Sequence, residues 1–210
     1  LVFDAEWETP YQKHDVVSGT FTRGDGTARD VQMMRSCETK YIRDENAVGF
    51  IKNFKGGKYG FAALLPDEAV PLEEYVNSLS GARLLSVFSN VESASVDAWL
   101  PKFSYEYSAM LNDALAQMGM SSAFSSETAD FTKLGSCSLG NLYIGKVIHK
   151  TFISVSELGT RAGAASAASM EAVSAPMYDY TVMLDRPFVY AIIDNATNLP
   201  IFLGTMQIPS

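Results

Sequence analysis

The chain has 210 residues, 47% of them apolar, and carries a net charge of −8. That length and apolar share suit one globular domain, expected here as residues 1–210. An acidic balance with no basic cluster argues against a nucleic-acid partner, and no apolar run approaches the ~20 residues needed to span a bilayer.

Leu1 to Trp7 (LVFDAEW) reads as the end of an apolar strand. The true start is therefore expected to be missing, and any localisation signal with it. Trp7 suits a core position, and His14 a solvated loop. Val16–Phe21, Val31–Met34 and Tyr41–Arg43 read as short strands, the first two separated by a Gly24-Asp25-Gly26 turn. Val48–Phe54 and Tyr59–Leu65 flank Lys55-Gly56-Gly57-Lys58, a hairpin in which glycine supplies positive φ. Its spacing is wrong for a phosphate loop. Cys37 and Cys137 lie far apart without metal-ligand spacing; two buried free thiols are expected over a disulfide, although sequence leaves both open.

Leu72, Tyr75, Val76 and Leu79 share a helical face, with Gly81 as a cap. Leu84, Leu85 and Phe88 suggest a second short helix. Val96–Tyr107 returns to strand. A further helix is expected with Ser108 as N-cap, an apolar face of Leu111, Ala114, Leu115 and Met118, and Gly119 at its end. From Leu142 to Ser156 the chain is extended. Val147, His149, Thr151, Ile153 and Val155 alternate toward one side, so His149 is expected inward, as a structural rather than a catalytic histidine. Phe188–Asp194 and Ile201–Ile208 form a last hairpin around Asn195-Ala196-Thr197-Asn198. Asn195-Ala196-Thr197 is also a glycosylation sequon; turn chemistry is the safer reading.

Between the last two strand regions lies Glu157–Pro187, rich in Ala, Ser and Gly. Such a composition reads as a flexible connector. With period two, however, Thr160, Ala162, Ala164, Ser166, Ala168 and Met170 fall on one face, all small or apolar. Arg161, Gly163, Ala165, Ala167, Ser169 and Glu171 fall on the other, which takes both charges. A strand with one face against a packed core needs that pattern. The stretch is a loop that could also be a buried strand.

No nucleophile motif, zinc helix or dinucleotide turn is present, and the carboxylates are scattered. The chain is expected not to be an enzyme and to need no metal or cofactor.

Glu157, Gly159, Thr160 and Ala162 resemble the reactive-centre-loop hinge of the serpins, the serine protease inhibitors, whose usual form is E-x-G-T-E-A followed by small residues. Arg161 departs from it, on the outward face. Further resemblances keep the family's order: FDAEWETPY to F-K-G-x-W-x-x-x-F, Leu64-Leu65-Pro66-Asp67 to I-L-P-D, Leu100-Pro101-Lys102-Phe103 to L-P-K-F, LYIGKVIHKTFISVSELGT to the strand before the hinge, and Arg186-Pro187-Phe188 to R-P-F. The resemblance implies an α+β fold of mostly antiparallel sheets with a few helices. It matches the C-terminal part of a serpin domain, with the N-terminal helices and first sheet strands absent from this chain and expected as its partner.

It further implies a suicide-substrate inhibitor of serine proteases, with cysteine proteases as a second target class, in a secreted or extracellular setting. Residues 157–187 would be the reactive-centre loop. Its hinge would be Glu157, Gly159, Thr160, Arg161, Ala162, Gly163, Ala164, Ala165 and Ser166. The scissile bond is expected at Val173-Ser174, with Met177-Tyr178 as runner-up. A small aliphatic residue before the cut suits an elastase-like or subtilisin-like protease. Trp7 and Lys102 would sit where the loop first enters the main sheet, Lys102 paired with Glu157, and His149 would belong to the so-called shutter. The competing class is a non-inhibitory serpin-like binding or storage module.

Overall fold

The structure, a computed structural model, describes residues 3–160 and 177–209. The chain divides into two compact units: Phe3–Ser104 with the chain from Ile153 onward, and Tyr105–Phe152. Among the described residues no helix is long and apolar enough to cross a membrane.

The larger unit is organised by one long strand, β2 (Ala28–Asp44). On one side it pairs first with β1 (Val16–Thr22), then with β3 (Ala47–Asn53); on the other it pairs with β5 (Val91–Pro101). Beyond β3 the sheet continues through β4 (Tyr59–Pro66), β9 (Phe188–Asp194) and β10 (Pro200–Met206); beyond β5 lies β8 (Tyr180–Met183). These pairings are antiparallel except β5 with β8, which is parallel. The two short strands expected at 31–34 and 41–43 are thus a single strand. A register shift between Glu38 and Lys40 breaks the alternation that would have identified it.

β4 and β9 are buried on both faces and read as continuous apolar runs. One face packs under α1 (Leu72–Ser78) and α2 (Gly81–Ser89), where Ile42, Ile51, Ala62, Leu64, Tyr75 and Phe88 form the core. The Tyr75 hydroxyl donates to Asp44 Oδ2 at 2.8 Å, and Arg83 donates to the same oxygen at 2.8 Å, tying both helices to the end of β2. Gly81 does not cap α1: it opens α2, and Ser80 is the N-cap, accepting from the Arg83 N–H. The opposite face carries aromatics: Phe61 stacks on Tyr190, and Trp7 on Phe54. Gly56 and Gly57 take φ of +83° and +67°, as the hairpin requires.

The expected strand 96–107 is two strands, β5 and β6 (Phe103–Met110), interrupted at Lys102. In the smaller unit β6 pairs with β7 (Ile148–Val155). Ser108 lies within β6 and caps nothing. The helix starts later than expected, at α3 (Asn112–Leu115), because the strand continues to Met110, and it runs on through a π-helical turn over Ala116–Met120. Asn112 accepts from the Val147 N–H at 2.8 Å and donates to the Gly145 carbonyl at 2.9 Å. Gly119, at φ +104°, ends the helical chain as expected. Cys37 and Cys137 are free but exposed rather than buried.

At the last hairpin Asp194 caps the turn, accepting from the Ala196 and Thr197 N–H groups. Asn195 donates to the Gly57 carbonyl at 2.8 Å and to Asn53 Oδ1 at 3.3 Å. Its amide is committed to the fold, in line with the turn reading of that sequon.

Candidate functional site

The hinge chain Ser156–Thr160 lies against Ala5–Tyr11. The Trp7 N–H donates to the Leu158 carbonyl and the Tyr11 N–H to the Glu157 carbonyl, both at 2.9 Å; the Thr160 N–H donates to the Ala5 carbonyl at 3.1 Å. Gly159 bridges antiparallel to Glu6. Its φ is +151°, and a Cβ there would meet the Ala5 carbonyl oxygen at 2.1 Å. The position needs glycine on both counts: left-handed φ and backbone contact.

Trp7 is 1% exposed. Its ring stacks on Phe54 at 4.6 Å and its indole N–H donates to the Ser156 carbonyl at 2.8 Å. A core tryptophan and a hinge contact are therefore the same residue. Lys102, in the break between β5 and β6, donates to Glu157 Oε1 at 2.6 Å. Burial would raise the Glu157 carboxyl pKa; the hydrogen bond and charge of Lys102, with a backbone N–H, more than offset it and hold it below the usual range. Thr160 is only 4% exposed, with its hydroxyl against the Ala5 backbone. Thr160, the first residue of the small-residue face, is thus already covered.

Trp7, Lys102, Glu157, Gly159 and Thr160 are thus brought together. His149 is not among them. Ile153 and Val155 on its row are buried, but the burial stops short of His149, which is exposed in this chain, contrary to the inward expectation. Arg161, Ala162, Gly163, Ala164, Ala165 and Ser166 of the hinge, and Val173 and Ser174, lie outside the described residues. Of the runner-up bond, Met177 is 94% exposed. Tyr178 lies 5.6 Å from the Arg35 guanidinium, which also covers Trp99 at 5.0 Å. Arg35 in turn grips the buried Asp97 through two bonds, Nε to Oδ1 at 2.7 Å and Nη2 to Oδ2 at 3.1 Å. Asp179 exchanges two hydrogen bonds with Ser95, through its backbone N–H and its carboxylate.

Two groups went unread in the sequence. One is this Arg35–Asp97 anchor. The other is a buried ion pair beneath Trp7: Lys52 Nζ lies 2.8 Å from Glu38 Oε1. The Tyr11 ring covers that ammonium at 4.4 Å and Trp7 at 5.6 Å. A lysine flanked by Ile51 and Asn53 at a strand end reads as solvent-facing; only the aromatic cluster from Trp7 to Tyr11 hinted that something there needed covering.

A family profile described as Serpin (serine protease inhibitor) matches residues 1–209. An uncharacterised serpin-like protein of Thermococcus kodakarensis is 32% identical over 212 residues, covering 100% of this chain and 48% of that protein. The crystal structure of the thermophilic serpin tengpin in its native state superposes with a TM-score of 0.91 at 48% identity, over 98% of this chain and 53% of that one. Tengpin in its latent state superposes at 0.82 and 43% identity, over 99% and 55%. The chain spans about half the length of the curated relatives it matches.

Proposed function

The chain belongs to the serpin family, and from that premise we propose that the protein it represents inhibits serine proteases as a suicide substrate. In this reading the protease attacks the loop after Thr160 and forms an acyl-enzyme. Cutting frees the hinge, the small-residue face enters the main sheet as a strand, and the protease is carried along before it can deacylate. The fold before cutting is a kinetic trap. About eight new backbone hydrogen bonds at ~1 kcal/mol each, with some apolar burial, approach the ~5–15 kcal/mol that holds a whole domain.

The observation that carries this reading is the seating of Thr160. Thr160 is buried against Ala5, and in the sequence the residues that alternate with it from Ala162 to Met170 are all small or apolar. The Tyr178–Arg35 contact supports Val173-Ser174 over Met177-Tyr178 as the cut. A protease needs extended chain on both sides of the bond, and from Tyr178 onward the chain is held on β2 and β5. A valine before the cut suits an elastase-like or subtilisin-like pocket.

The test uses the protein at the full length of its relatives, incubated with elastase-like and subtilisin-like proteases. A covalent adduct that survives boiling in detergent is expected, with a released peptide beginning at Ser174. Cleavage without adduct across the panel would favour the non-inhibitory binding module instead.

A further inference from the structure

The segment Ala5–Tyr11 is hydrogen-bonded on both flanks. Toward the hinge run the bonds from Trp7, Tyr11 and Thr160; toward the β3–β4 hairpin the Glu8 N–H donates to the Asn53 carbonyl at 3.0 Å and the Lys55 N–H to the Glu6 carbonyl at 2.8 Å. Backbone bonds do not decide which flank parts first. Side chains do. On the hinge flank the segment adds one neutral side-chain bond, from the Trp7 indole to the Ser156 carbonyl at 2.8 Å, and the hinge itself is held by Lys102 and Glu157, with 36% and 33% of their side chains exposed, a pair for which water competes. The other flank holds Lys52 and Glu38, at 3% and 12%. Glu38 Oε1 also accepts from the Ser36 hydroxyl at 2.7 Å, and the Lys52 ammonium is faced by both rings of the segment. Lifting Trp7 and Tyr11 off β3 would strip a buried cation of two aromatic faces and leave its surroundings open.

We infer that Lys52 is a positioning residue: held by Glu38, it fixes Ala5–Tyr11 to β3, so that the hinge gap opens from one side only, by departure of Glu157–Thr160. This deepens the trapping reading and rests on it for its consequence, a gap that opens without loosening the sheet behind it. The geometry itself can be tested without any protease.

Native-state amide exchange on the uncleaved full-length protein reads both flanks separately. In the wild type the amides of Trp7, Tyr11 and Thr160 should exchange at least about tenfold faster than those of Glu8 and Lys55. In Lys52→Met the Glu8 and Lys55 amides should speed up by at least about tenfold and draw level, because one partner of a buried pair is lost. Lys52→Arg, which restores a cation, should keep the two sets apart. If Lys52→Met does not fold, Glu38→Gln keeps the acceptor without the charge and should narrow the separation. The inference is overturned if the two sets exchange in step in the wild type. It is equally overturned if the variants leave Glu8 and Lys55 unchanged, or if every amide speeds up alike, Phe61 and Ile192 of the sheet interior included. Absence of a protease adduct alongside the expected exchange pattern would sink the trapping reading alone.

Discussion

Three residues of the hinge each answer to a different force. Glu157 is governed by charge. Its pKa is lowered in the fold, so its contribution is complete above its ordinary value of 4.5 and is lost as pH falls through the lower folded value. Both partners are about a third exposed, so the contribution is ~1 kcal/mol or less. Glu157→Gln should therefore lower the unfolding midpoint slightly at pH 7, and the difference should shrink as the pH is brought down below 4.5; a constant difference across that range would refute the pairing. Thr160 is governed by burial. An arginine there would carry an unpaired charge under cover, costing on the order of 3 kcal/mol. Because Thr160 is already covered, that cost should appear in the uncleaved protein as a lowered denaturation midpoint, and the variant should be cleaved without adduct. Thr160→Val should stay within about 1 kcal/mol of wild type, since the hydroxyl's contacts to Ala5 are long, at 3.3 and 3.4 Å. Gly159 is governed by shape alone. That Trp7, Lys102, Glu157 and Thr160 lie together was legible through the resemblance, because each sits in one of the motifs that carry it. Lys52 was not, since nothing local separates a buried lysine from a solvated one.

Among the elements, the strands with steady alternation or continuous apolar character were readable, and those with a defect were not. β3, β4 and β9 were found close to their true limits. β2 was split in two by the shift at Glu38–Lys40, and the same shift hid the inward turn of Glu38. The helix after Met110 was given too early a start, because Leu111, Ala114, Leu115 and Met118 fit a helical face whether or not Ser108 begins it. The β5–β8 pairing shows how an element is held by a few long side chains. Among the described residues β8 has four residues and one sheet neighbour, β5, and its N-terminal end is held by Arg35, Asp97, Tyr178 and Asp179 and by Tyr180 stacked on Tyr41. Arg35→Leu would leave the Asp97 carboxylate, 7% exposed, without its fork, a loss of about 1–3 kcal/mol, toward the lower end because the arginine itself is half exposed. Arg35→Lys should fall between, having charge without the planar pair of donors. Denaturant unfolding measures the stability. Cleavage next to Tyr178 by subtilisin should rise in step, and a variant with wild-type midpoint and unchanged cutting would remove the anchor.

On the scale of the molecule, the larger unit holds most of the buried core, while the smaller one leaves many apolar side chains uncovered. Tyr107, Met110, Met118, Leu134, Leu139, Tyr143, Ile148 and Phe152 are all more than half exposed. A surface of that kind calls for more chain to cover it, and the relatives are about twice as long. The same shortfall bears on insertion. A strand entering beside Glu157–Thr160 needs a partner on each side, and on the far side only the short run Ala5–Tyr11 is present among the described residues. The gain of about eight hydrogen bonds should therefore appear only where the longer protein supplies that second wall. A nick between Arg161 and Pro176 in the full-length protein should raise its thermal midpoint by at least about 10 °C, since each kcal/mol moves the midpoint of a large domain by about 2 °C. The same nick in residues 1–210 alone should leave the midpoint unchanged or lower it. Equal midpoints for nicked and intact full-length protein would mean that the cut loop gains no strand partners, and the energy assigned to trapping would have no source.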